Sequence, residues 1–145
     1  MDKQRLTAPC GLDCFNCPTY EGNIDITGEW AVQTAEFLKI PVDELPCKGC
    51  RDEKGHCKFA PNKECATWEC VQEKGVSFCH ECVYFPCELL MPTKQGANYP
   101  HNMKVYNLSR MKLIGLDKWI EESSCIRERY YNGTFLVGQG PVLKE

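Results

Sequence analysis

Twelve cysteines constrain this chain more than any other feature, and they are unevenly placed. Eleven fall between Cys10 and Cys87, and only Cys125 lies beyond. The first three stand in "CGLDCFNC" as a C-x3-C-x2-C run: Cys10, Cys14 and Cys17. Cysteines this close together serve zinc sites, iron–sulfur clusters or disulfide frameworks. The chain opens MDKQRLTAPC, with no apolar run after a basic start, so no secretory leader is expected. No stretch approaches the roughly 20 apolar residues that span a bilayer. The expected location is cytoplasmic, away from membranes, where thiols stay reduced and a disulfide framework does not persist. So many free thiols would invite oxidation, and metal coordination is the use that fits them.

The core argument points the same way. Ala, Val, Ile, Leu, Met, Phe, Trp, Cys and Gly make up 67 of 145 residues, but only 55 once the cysteines are removed. That is thin for a self-sufficient interior. The free energy of filling a structural metal site is also folding free energy, so bound metal would make up the deficit. Charge is polarised along the chain. Residues 1–92 carry 9 Lys and Arg against 15 Asp and Glu, a net of −6; residues 93–145 carry 8 against 5, a net of +3. An acidic cysteine-rich part repels phosphate backbones, so nucleic acid is not the expected partner.

Helical periodicity predicts a first helix over Thr27 to Lys39, capped by Asp25 or Thr27 and ended by Pro41. Trp30, Ala31, Ala35, Phe37 and Leu38 are its expected core face. A short helix is predicted at Ala66–Lys74 with Gly75 as C-cap, and a brief one from Pro86 to Leu90. Residues 92–101 read as a linker, with His101 at the surface. Two helices follow, Asn102–Ile114 and Leu116 to about Tyr130, broken by Gly115; their apolar stripes form a pair that needs a partner. Asn132-Gly133 is a turn signal before a tail that is either a short strand or frayed. The expected fold is a small metal-stabilised α or α+β protein. A cysteine-rich, zinc-ribbon-like module with short helices (1–92) packs against a C-terminal helix pair (93–145), and together they make one compact unit.

Soft thiolates select zinc or iron–sulfur clusters. Cys47-Lys-Gly-Cys50 and Cys79-His-Glu-Cys82 are C-x2-C turns separated by 28 residues, plausible for a ribbon-like site. In the first, glycine eases the tight bend that lets backbone N–H groups face the sulfurs. Two four-cysteine sites use eight thiolates, and a third needs twelve ligands in all. Eleven clustered cysteines plus His80 or His56 reach that number. Cys57 lies in a charged loop, and His80 sits inside a turn from which rings usually point away. Cys125, alone on a predicted helix, is expected to be buried as a small apolar residue. Asp13, Glu69 and Glu81 flank cysteines and are expected to be solvated. The C-x3-C-x2-C spacing also occurs in radical enzymes that hold a four-iron cluster, but 145 residues leave no room for their partial barrel. A simpler cluster with Cys87 as fourth ligand remains open.

The stretches "CGLDCFNC", "CKGCR", "CATWECVQEKGVSFCHECVYFPCELL" and "NLSRMKLIGLDKWI" together resemble a cysteine-rich family of bacterial and archaeal proteins of unknown function. The resemblance spans roughly residues 8–122. It implies that Cys10, Cys14, Cys17, Cys47, Cys50, Cys65, Cys70, Cys79, Cys82 and Cys87 are the recurring metal ligands and that zinc is the metal. Cys57 and Cys125 are then peculiar to this chain.

Three functions compete. The leading expectation is a module stabilised by two or three structural zinc ions, whose surface contacts another protein. The second is an iron–sulfur carrier, or a zinc-thiolate protein accepting an alkyl group on Cys10, Cys14 or Cys17. The third is a zinc ribbon that binds nucleic acid. No Ser/His/Asp arrangement, phosphate loop or paired-carboxylate motif stands out, so whether the chain is an enzyme is left open.

Overall fold

In a computed structural model of the chain, the described residues are 1–59, 63–90 and 103–144. They form four α-helices and one two-stranded sheet joined by 3-10 turns, a small α+β arrangement. The predicted linker at 92–101, with His101, lies outside the described residues.

Helix α1 (Glu29–Leu38) starts two residues later than the periodicity suggests. Asp25 shapes its entry without capping it: the carboxylate accepts from the Thr27 N–H at 2.9 Å and its hydroxyl at 2.6 Å, ahead of the N-cap Gly28. The helix stops before Pro41, at Lys39, whose φ of 56° is left-handed and whose N–H returns to the Ala35 and Glu36 carbonyls. Its buried face is Ala31 and Ala35, against Leu45, Ile24, Ile40 and Val42. The expectation that Trp30 and Phe37 are core is overturned: they are 48% and 84% exposed. Ala31, Ala35 and Leu38 follow the i, i+4, i+7 stripe and let the loop of Leu45 approach closely; the rings fall beside that stripe.

Helix α2 (Ala66–Lys74) ends at Gly75 with φ 64°, as its sequence predicts. The turn after Pro86 is a single 3-10 turn, Glu88–Leu90. Helices α3 (Met103–Ile114) and α4 (Leu116–Asn132) meet at Gly115, whose φ of 87° suits only glycine. They are joined by Trp119 Nε1 donating to Asn107 Oδ1 at 3.3 Å and by Arg110 forking Glu122 at 2.7 and 2.8 Å. The main core collects Leu6, Ala8 and Phe15, then Val71 of α2, Met103, Leu108 and Met111 of α3, and Trp119, Ile126 and Tyr130 of α4. Cys10 and Cys79 are buried in the same core.

The tail is a hairpin, β1 (Thr134–Leu136) against β2 (Gly140–Val142), with Phe135 opposite Pro141. Its reversal lies at 137–139; Asn132-Gly133 marks the end of α4 instead, where the Gly133 N–H donates to the Arg129 carbonyl at 2.8 Å. No described helix is long and apolar enough to cross a membrane.

Candidate metal centre

The first cysteine loop is shaped by local backbone bonds. The Ala8 N–H donates to the Leu12 carbonyl at 2.9 Å, and Thr7 bridges to Asp13. A 3-10 turn at Cys14–Asn16 follows, closed by the Cys17 N–H on the Cys14 carbonyl at 3.0 Å. That sets Cys14 and Cys17 one turn apart.

The Cys47–Cys50 turn is laid alongside this loop. The Cys47 N–H donates to the Thr19 carbonyl at 2.8 Å, and the Glu21 N–H donates to the Cys47 carbonyl at 2.9 Å. Gly49, at φ 95°, carries the reversal; a Cβ there would stand 2.8 Å from the Leu6 side chain and 3.8 Å from Cys14 Cβ. Its N–H faces Cys47 Sγ at 3.4 Å, the N–H-to-sulfur contact that glycine in the turn predicted. The Cys17 thiol lies 3.1 Å from the Thr19 hydroxyl.

The third cysteine segment joins through the Cys79 N–H, which donates to the Pro9 carbonyl at 3.0 Å and so seats Cys79 beside Cys10. Arg51, the last residue of "CKGCR", spans the junction. Its Nε donates to the Thr7 carbonyl at 3.0 Å, its Nη2 to the Ser77 carbonyl at 2.8 Å, and its guanidinium lies 4.8 Å over the Phe78 ring. The His80 ring stacks on Phe78 with centroids 5.6 Å apart. Glu81 is exposed but not idle: it accepts from the Ser77 and Phe78 N–H groups at 2.7 and 3.1 Å, organising the turn before Cys82.

Electrostatics record which thiols are neighbours. Burial pushes Cys79 up to about 12, and the charges of Cys10, Cys87, Cys70 and Cys82 add to the shift. Burial pushes Cys14 up to about 12; the Cys50 N–H works the other way, and Cys10, Cys17 and Cys47 push further. Cys50 is raised by burial, then by Cys10, Cys14, Cys65 and Cys57. Burial also raises Cys10, opposed by Lys104, and Cys47, opposed by the Gly49 N–H. All eleven clustered cysteines therefore lie within electrostatic reach of another thiol, and Cys10 acts on Cys14, Cys50 and Cys79 alike. For Cys10, Cys14, Cys47, Cys50 and Cys79, burial and neighbouring thiols favour the protonated form. A bound divalent cation reverses that balance, because a coordinated thiol is deprotonated outright.

All twelve cysteines are free. As a donor set they suit a soft cation. Among the described residues, however, no three His, Cys, Asp or Glu side chains are arranged so that they could hold a metal ion together. The fold gathers the cysteine segments without closing their sulfurs on a common point.

Two expectations about single residues are corrected. Cys125 is exposed, because Trp119, Ser123, Ile126 and Tyr130 form the buried stripe of α4 and position 125 falls outside it. Asp13 is not solvated: it is 2% exposed, and its Oδ1 pairs with Arg127 Nη1 of α4 at 2.7 Å. Glu69 is exposed as expected. Sequence reasoning missed Arg51 and Arg127. The placement of Arg51 directly after a C-x2-C turn was a signal; Arg127, more than a hundred residues from its partner, gave none.

These features define a small, cysteine-rich α+β protein held together by cross-connected loops and a helix pair. The family model for proteins of unknown function DUF3795 matches residues 6–92, more than half of the chain, and the chain belongs to that family. The match contains every cysteine except Cys125 and stops before α3, so "NLSRMKLIGLDKWI" lies beyond it. No curated protein and no solved structure matches the chain.

Proposed function

We propose that this protein is a zinc-binding module of the cytoplasm whose thiolate sites hold its loops together and whose surface serves interaction with another protein. One observation carries the reading. Cysteine segments spread over residues 10–87 are folded side by side: the Cys47 N–H bonds the Thr19 carbonyl, the Cys79 N–H bonds the Pro9 carbonyl, and Cys10 and Cys79 share one core. Thiols crowded in this way repel one another once ionised, and a soft dication is the counter-charge that suits them.

Cys10, Cys14, Cys17, Cys47, Cys50, Cys65, Cys70, Cys79, Cys82 and Cys87 are the proposed ligands, for two or three zinc ions in a ribbon-like module. Bound zinc would supply the cross-link that short 3-10 turns and small residues do not. Loading would draw the sulfurs together from their present separate positions.

The test is elemental analysis with an absorption spectrum on protein purified without oxygen. Two or three zinc ions per chain and no visible colour are expected. Metal-free protein after gentle purification would end the reading. Brown protein bleached by reductant would replace it with the iron–sulfur alternative.

A further inference from the structure

The first cysteine motif contains five residues besides its cysteines, and four of them are gripped by the C-terminal helix pair. Gly11 offers its carbonyl to Asn107 Nδ2 at 2.8 Å. It also packs so closely on α3 that a Cβ would stand 2.9 Å from Leu108 Cγ and 3.0 Å from the Lys104 carbonyl. Asp13 pairs with Arg127 of α4. Phe15 meets the Trp119 ring edge-on at 6.2 Å. Asn16 Nδ2 donates to Asp13 Oδ2 at 2.9 Å and to Ser123 Oγ at 3.1 Å.

We propose that Arg127 is a positioning residue for Cys14 and Cys17. Its pair with buried Asp13, braced by Asn16 and Ser123, fixes the first cysteine loop on α4, so a helix outside the family match forms part of the metal centre. The inference rests on the zinc reading for its consequence but not for its geometry.

Three features make Arg127 the centre of the grip. Asp13 is nearly sealed from solvent, so its carboxylate depends on this partner. Arg127 is itself mostly covered, with its guanidinium 4.7 Å over the Tyr131 ring, which restricts where it can lie. And Asp13 sits directly before the 3-10 turn of Cys14–Asn16, so a shift of the carboxylate is a shift of the turn. Groups that orient metal ligands from behind commonly change metal affinity by about 10–100-fold when removed.

The experiment compares wild type with Arg127→Met and with Arg127→Lys, which restores the charge. It reads cobalt-loaded absorption spectra and the alkylation rate of each cysteine in metal-free protein, peptide by peptide. The expected result is a selective change. Cys14 and Cys17 change rate in Arg127→Met relative to wild type, while Cys79, Cys82 and Cys87 keep their rates, and the cobalt–thiolate bands of the first site shift. Arg127→Lys recovers part of both effects. Equal rates at Cys14 and Cys17 in all three proteins would overturn the proposal, as would a uniform acceleration at all cysteines with the fold intact. If Arg127→Met does not fold, Ser123→Ala, which removes the α4 end of the brace and leaves the residues of the cysteine loop unchanged, carries the same comparison. Failure of wild type to take up any metal would count against the zinc reading, while the metal-free alkylation rates would still decide the role of Arg127.

Discussion

The helix pair and the cysteine loops share one core but are held in different ways. Helices α3 and α4 satisfy their own backbone and bury large side chains, among them Met103, Leu108 and Trp119. The loops around Cys14, Cys47 and Cys79 have no such economy. Their regular structure is a three-residue 3-10 turn at Cys14 and at Cys79 and an isolated bridge at Cys47, and their backbone groups bond across segments, as Cys47 does to Thr19 and Cys79 to Pro9. Burial of apolar area anchors the first region. The second depends on ties between distant segments: Arg51, Asn107, Asp13 with Arg127, and by the proposed function zinc. The difference teaches that the cysteine loops are placed by the helices but not closed by them.

Metal removal should separate the two regions most strongly. Chelation of zinc-loaded protein should abolish amide protection in residues 8–20, 47–57 and 76–90 before it does so in α3 and α4, as followed by hydrogen exchange. Simultaneous loss in both would merge the regions into one cooperative unit. Trp119→Ala strikes the junction from the other side. Trp119 is fully buried and touches both Phe15 and Asn107, so about 3–5 kcal/mol of stability should be lost in urea unfolding.

Two glycines sharpen the comparison. A Cβ on Gly55 would stand 2.3 Å from Trp68 Cγ, at a φ of 79°. Gly55→Ala should therefore cost about 1–3 kcal/mol from overpacking alone. Gly75, at φ 64°, has nothing within 4 Å, so Gly75→Ala should cost only the backbone strain, about 1 kcal/mol. Equal costs would mean that the Gly55 loop does not rest on α2. The smallest effect belongs to the exposed face of α1: Phe37→Ser should change stability by no more than about 0.5 kcal/mol in thermal melts.

The regular elements were legible wherever local chemistry decides them. The Gly75 cap, the break at Gly115 and the bounds of α2 follow from single residues, and the N–H-to-sulfur contact follows from Gly49. The faces of α1 were not legible, because periodicity locates a stripe but not the size of the core behind it. Alanines fill the shallow contact with Leu45, and the rings of Trp30 and Phe37 are left outside. Cys125 failed for the same reason: residue type suggested burial, while the stripe of Trp119, Ile126 and Tyr130 excludes it. The candidate centre was legible as a list of cysteines but not as a construction. Asp13 and Arg127 lie 114 positions apart, and no local pattern joins them.

Residue-by-residue alkylation of protein purified without oxygen, before and after chelation, tests the central claim most directly. The account predicts that Cys10, Cys14, Cys17, Cys47, Cys50, Cys65, Cys70, Cys79, Cys82 and Cys87 are protected until metal is removed. Cys125 should react at one rate throughout. Ten cysteines whose rates ignore the chelator would contradict it.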